Sequence, residues 1–192
     1  MNSNYINIIK DIEDKLESKE SIIVAIDGRC GSGKSTLGQI LQEYFDCNLF
    51  HMDDFFVPFD LRTKERLDIP GENVHHERFK KEILDKIINK EDISYKKYNC
   101  MDNSFSDYID IKYKKINVIE GSYSMNNNLI DYYDYKIFLT INKEEQLNRI
   151  LKRNGKVSLN NFIEKWIPLE EKYFDYFNVT TLCDKVMDTS LK

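Results

Sequence analysis

The 192-residue chain has no apolar run long enough to cross a bilayer, and its opening, MNSNYINIIKDIEDKLE, lacks the apolar core of a signal peptide. Paired cysteines are missing too. Cys30, Cys47, Cys100 and Cys183 lie far apart with no CxxC among them, so they read as reduced thiols, and no cysteine metal cluster is implied. The expectation is a cytoplasmic protein. Positive charge is also short: 28 Lys and Arg stand against 33 Asp and Glu, for a net charge of −5. That balance argues against broad binding to nucleic acid or an anionic membrane surface and points to small-molecule partners. Association into a homo-oligomer is left open. No internal repeat, low-complexity tract or interdomain linker is visible, so residues 1–192 are expected to form a single domain.

What is present is alternation. Short apolar runs at 22–26, 48–52, 116–120 and 135–141 are separated by helix-like stretches, the pattern of parallel strands joined by crossover helices. A last run at 185–187 reads as an edge strand. Tyr5, Ile8, Ile9, Ile12 and Leu16 recur at helical spacing and predict an N-terminal helix within residues 1–20, packed on the domain. Further helices are expected over Leu37 to Phe45, from Phe79 to Ile88, and around Leu147, Ile150 and Leu151. In residues 159–177 Phe162, Ile163, Trp166, Glu170, Tyr173, Phe174 and Phe177 lie near one stripe whose apolar residues read as core, with Pro168 kinking or breaking the helix. The connection over 57–77 is long and polar, and loops of that length are often functional.

Between the first strand and its helix stands DGRCGSGKST, Asp27 to Thr36. Gly28, Arg29, Cys30, Gly31, Ser32, Gly33, Lys34 and Ser35 satisfy G-x-x-x-x-G-K-[ST] in the strand-to-helix setting that this motif requires. Its glycines let backbone N–H groups approach phosphate oxygens, and the helix that follows adds its positive end. Lys34 supplies a point charge toward the β and γ phosphates, and the Ser35 hydroxyl can ligate Mg²⁺. Thr36 completes the nucleotide-binding set. Cys30 is either a thiol perturbed by Lys34 and the helix start or a filler at a tolerant position, and the second reading is preferred.

Two strand ends carry carboxylates. Glu120 ends the run 116–120, where an acidic residue can hold Mg²⁺ directly or through water. Asp53 and Asp54 follow the run 48–52, at the edge where open α/β sheets collect ligands. Asp53 is placed to take a proton from an attacking hydroxyl.

These residues resemble the uridine kinase-like branch of the P-loop kinases, over about Ile22 to Asp188. The likeness rests on GRCGSGKST, the strand-end DDFF of Asp53 to Phe56, Glu120–Gly121 and RILKR of Arg149 to Arg153. It is nearest to a bacterial uridine kinase-like subgroup with the segments His51 to Phe56, Pro70 to Val74 and Trp166 to Phe174. The resemblance implies an α/β P-loop NTPase fold, in three α/β/α layers with a parallel five-stranded sheet, and a small helical lid near 149–160. It implies ATP and Mg²⁺, with Asp53 as catalytic base and Arg149 and Arg153, on one helical face, as lid arginines acting with Lys34 on the phosphates.

The departures concern the acceptor. His75 stands where uridine kinases carry the Asp that grips the ribose, and a neutral imidazole cannot match a carboxylate clamping two hydroxyls. Tyr98 could stack on a base or be an ordinary sheet aromatic. Arg62 and Arg66, in the long connection, could meet an anionic acceptor or be solvated. The expected activity is transfer of the γ-phosphoryl group of ATP to a small hydroxyl compound, first a pyrimidine ribonucleoside. The alternatives are a kinase for another small alcohol, a sugar or vitamin precursor, and a nucleotide-binding regulatory ATPase. Asp53 stands against the last, since a switch does not need it.

Overall fold

The computed structural model describes residues 3–190. Along the chain run α1 (Ser3–Leu16), β1 (Ile22–Gly28), α2 (Lys34–Tyr44), β2 (Cys47–His51) and the short α3 (Lys64–Leu67). A helix then opens as α4 (His76–Phe79), widens through a π turn (Lys80–Leu84) and closes as α5 (Asp85–Ile88). Four short strands follow: β3 (Ile93–Tyr95), β4 (Tyr98–Asn99), β5 (Ser104–Phe105) and β6 (Ile109–Ile111). The chain continues through β7 (Ile116–Glu120), β8 (Tyr135–Thr140), α6 (Lys143–Asn161), α7 (Ile167–Phe177) and β9 (Lys185–Asp188).

Five strands pair in parallel in the order β2-β7-β1-β8-β9. Every residue of central β1 is buried, because both faces of the sheet are covered. Its side chains alternate between two cores. Ile22, Val24 and Ile26 pack with Ile8, Ile12, Leu37 and Leu41 of α1 and α2. Ile23 and Ala25 face the other core, with Phe79, Ile83, Tyr173 and Phe174 from the 76–88 helix and α7. The sheet thus lies between two helical layers, the three-layer α/β/α arrangement expected. The terminal run is the edge strand β9, and α1 packs on the domain as its periodicity predicts.

Several expectations are corrected. The second strand ends at His51, because Met52–Phe55 turn into a 3₁₀ helix, and the fourth ends at Thr140. Pro168 stands in the first turn of α7, directly after a π turn over Phe162–Trp166 that interrupts the α-helical pattern, so the helix is broken just before it and not at the proline itself. Of the stripe over 159–177, Tyr173 and Phe174 are core, Ile163 is exposed, and Phe162 and Trp166 line a cavity. The segment expected as a lid over 149–160 is the second half of α6, broken at Gly155 (φ 79°, ψ 172°) and exposed from Leu151 to Val157. The antiparallel pairs β3–β6 and β4–β5 are not anticipated, since strands of two or three residues show no readable alternation. Among the described residues no helix is long and apolar enough to cross a membrane.

Candidate active site

Strand β1 delivers the glycine-rich loop to the carboxyl edge of the sheet. Gly28 (φ 138°) lies so near β8 that a Cβ there would fall 2.0 Å from the Leu139 carbonyl oxygen, so no side chain fits. Gly33 (φ 95°) has open space where its side chain would be, and precedes α2. Cys30, Gly31, Gly33, Lys34, Ser35 and Thr36 line a cavity of about 860 Å³. The Lys34 ammonium donates to the carbonyls of Gly28 (2.6 Å) and Arg29 (3.1 Å), held at the mouth of the loop.

Three loop residues expected to bind nucleotide do not line the cavity. Gly28 is committed to the β1–β8 approach. Arg29 turns outward to Glu171 (2.9 Å) and the Ile141 carbonyl. Ser32 is buried, and its hydroxyl has no hydrogen-bond partner. The Cys30 side chain is buried against Gln146, and burial pushes its thiol up to about 12, which suits a space-filling position.

Asp27, fully buried at the end of β1, escaped sequence reading. Its carboxylate accepts from the N–H of Gly28 (2.7 Å), the N–H of Met125 (3.0 Å) and the Tyr173 hydroxyl (2.9 Å). It ties the loop to the segment after β7 and to α7. Burial raises its pKa to about 6 against these hydrogen bonds and Lys34.

Asp53 opens onto the same cavity from the 3₁₀ turn after β2. Its side chain stays exposed to the cavity, but the protein around it displaces part of its water and raises its pKa; Lys34 opposes that shift, while Glu120, Asp54 and Glu170 add to it. Asp54 turns away to Lys97 (3.0 Å) and does not line the cavity. Glu120 is buried at the end of β7, beside His51 in register, and its carboxylate meets His51 Nδ1 at 2.5 Å. That hydrogen bond raises the pKa of His51. The pairing orients Glu120, and neither its distance nor its partner was readable from HMDDFF.

Glu170, which shares a helical stripe with aromatic residues, is a cavity residue, 5% exposed. It accepts from the backbone N–H of Cys30 (2.9 Å) and the Ser122 hydroxyl (2.5 Å). The signal available in sequence was an acid at helical spacing among aromatics, which alone names no role.

The expected arginines divide. Arg149 lines the cavity but is bound to Glu145 (2.6 and 3.1 Å), the Thr189 carbonyl (2.7 Å) and the Gly31 carbonyl (3.3 Å). Arg153 also lines it, exposed, its guanidinium 6.0 Å from the Phe162 ring. Arg62 faces the cavity, whereas Arg66 does not: it is consumed by Glu77 (2.9 and 3.0 Å) and by the carbonyls of Glu72 and Val74. His75 is likewise outside. Its ring caps α4 by accepting from the Arg78 N–H (3.3 Å), and Asn73 lines the cavity instead. Tyr98 is buried, packed on Phe105 and bonded to Asn103, so it is a sheet aromatic with no face open to a ligand.

The donor set fits a Mg²⁺–nucleotide. Gly33 leaves backbone free for phosphate oxygens, α2 opens with its positive end at the cavity, and Ser35 and Glu120 offer hard oxygen ligands to the same space.

No protein-family model matches the chain, and no curated protein matches its sequence. Solved structures do resemble it. A possible uridine kinase from Bacillus stearothermophilus superposes with a TM-score of 0.70 at 16% identity, covering 96% of this chain and 98% of that one. A candidate fructose transport system kinase from Silicibacter sp. TM1040 gives 0.63 at 17% identity, covering 88% and 90%. YFH7 from Saccharomyces cerevisiae, a candidate P-loop containing kinase with a circular permutation, gives 0.61 at 13% identity, covering 98% and 99%. The likeness shows the fold: this chain has the α/β architecture of the P-loop kinases, consistent with the uridine kinase-like resemblance.

Proposed function

We propose that the protein transfers the γ-phosphoryl group of ATP to a hydroxyl of a small acceptor. The observation that carries this is the sharing of one cavity by Lys34 and Ser35 at the start of α2 with Asp53 of the turn after β2 and Glu120 at the end of β7. A nucleotide switch has no use for a carboxylate such as Asp53 in that space. Bound ATP–Mg²⁺ would supply the phosphoryl group and the metal's charge. Ser35 and Glu120 are the residues that would hold the metal, with His51 fixing the Glu120 carboxylate. Asp53 accepts the proton of the acceptor hydroxyl, and its raised pKa brings its basicity nearer the working range. Lys34, Arg149 and Arg153 balance charge developing on the transferred group.

A pyrimidine ribonucleoside is the acceptor the resemblance implies. Against it stand His75 and Tyr98, the two residues through which that reading would work, since neither lines the cavity. A different small alcohol is therefore the second reading. Incubation with ATP–Mg²⁺ and a panel of nucleosides, sugars and vitamin precursors, followed by ADP release, tests both. The proposal expects release that depends on one class of acceptor; release indifferent to every acceptor would make the protein a regulatory ATPase.

A further inference from the structure

Away from the loop, the cavity wall is built by the connection between β2 and α4 and by α7; its acid, Glu170, is engaged by the Cys30 N–H and the Ser122 hydroxyl, while its cations have no such partner. Arg62 and Lys172 line it, and among the described residues neither meets a carboxylate. Arg62 donates to the Val57 carbonyl (2.7 Å) and to Cys100 Sγ (3.4 Å), with its guanidinium 4.2 Å from the Phe59 ring centroid. Every one of these partners is neutral. A half-buried guanidinium without a counter-ion is unfavourable unless something else supplies the negative charge.

Counter-ions are not scarce in this chain, where acids outnumber bases by 33 to 28. Arg66, four residues on in the same connection, is neutralised by Glu72 and Glu77 and lies outside the cavity. Arg62 is anchored through its Val57 carbonyl contact, and its cation is left without a carboxylate on the cavity side. The donor phosphates already have Lys34, Arg149 and Arg153.

We propose that the acceptor is an anion: a small hydroxyl compound whose carboxylate or phosphate group is held by Arg62, with the exposed Lys172 adding a second positive charge. The word acceptor rests on the phosphotransfer reading, but binding of the anion does not. Trp166, the chain's single tryptophan, lines the cavity, so its fluorescence reports occupancy without turnover.

The test uses matched neutral and anionic alcohols on the full chain: pantothenol against pantothenate, ribose against ribose 5-phosphate, and 1,4-benzenedimethanol against 4-(hydroxymethyl)benzoate. Titration of Trp166 fluorescence, with calorimetry beside it, gives the affinities. In at least one pair the anionic member should bind ten or more times tighter, and which pair responds separates a carboxylate from a phosphate. Arg62→Gln should reduce that preference about tenfold, Lys172→Gln should reduce it less, and Lys64→Gln, an equal charge change on the same connection outside the cavity, should leave it intact. A thermal melt checks that each variant is folded. Neutral members binding as well as anionic ones throughout, no anionic member binding at all, or a preference unmoved by Arg62→Gln would each overturn the inference. Anion binding without ATP-dependent phosphorylation would uphold it while removing the kinase reading. Phosphorylation of uridine with no anion bound would do the reverse.

Discussion

Glu170 on α7 accepts a hydrogen bond from the backbone N–H of Cys30 at 2.9 Å while the Ser122 hydroxyl donates to its other oxygen at 2.5 Å. One buried carboxylate thus joins the phosphate loop, the segment after β7 and α7. Glu171 adds an ion pair to Arg29 from the same helix. Glu170→Ala strands the buried Cys30 N–H, and an unsatisfied buried donor costs about 1–3 kcal/mol. Urea denaturation should show a loss of at least that size; a change within about 0.5 kcal/mol, the range of an ordinary surface substitution, would mean the link does not hold the loop.

Asp53→Asn keeps shape and most hydrogen bonding but removes the proton-accepting charge. Acceptor-dependent turnover should fall by about 10²–10⁴-fold, the contribution of a general base. Calorimetric ATP–Mg²⁺ affinity should hardly move, since the loop, Ser35 and Glu120 remain. A fall of less than about tenfold removes Asp53 as the base, and a parallel loss of nucleotide binding moves it to the metal.

Gly28→Ala places a methyl group 2.0 Å from the Leu139 carbonyl oxygen at a φ of 138°. Neither backbone can withdraw without breaking the β1–β8 ladder, so the variant should lose more than about 3 kcal/mol, in the range of severe core and backbone lesions. Gly33→Ala, with nothing within 4 Å of the new methyl, bears only the backbone strain of its positive φ. Thermal melts of the two should separate clearly; similar melting temperatures would contradict the close approach.

Asp27 binds its proton more tightly in the folded chain, with a pKa of about 6, than at the ordinary value of 3.8. Between those values the folded state holds more protons than the unfolded state, so this group's contribution makes stability fall as pH rises from about 4 to about 6. The full effect is on the order of 3 kcal/mol. Asp27→Asn cannot titrate and should flatten that part of the stability profile. Denaturation midpoints of wild type and variant across this range provide the measurement, and parallel profiles would show that Asp27 does not titrate there.

Local order along the chain sufficed for the architecture and for the phosphate loop. Alternating apolar runs and helical stripes are set by side-chain period, and the spacing of Gly28, Gly33, Lys34 and Ser35 is itself the device, so both were readable without a fold. Asp53 and Glu120 were legible for the same reason, since a strand end fixes where the next residue emerges. The acceptor wall was not. Arg62 and Arg66 are the same residue type in the same connection, and only the positions of Glu72 and Glu77 decide that one is neutralised and the other faces the cavity. His75 caps a helix because α4 begins there, and Tyr98 is sealed by Phe105 across a two-residue strand pair. Asp27 and Glu170 acquire their roles in part from partners about a hundred residues or more away, Met125 and Cys30. Burial and partnership at that range are properties of packing, which a local pattern does not encode.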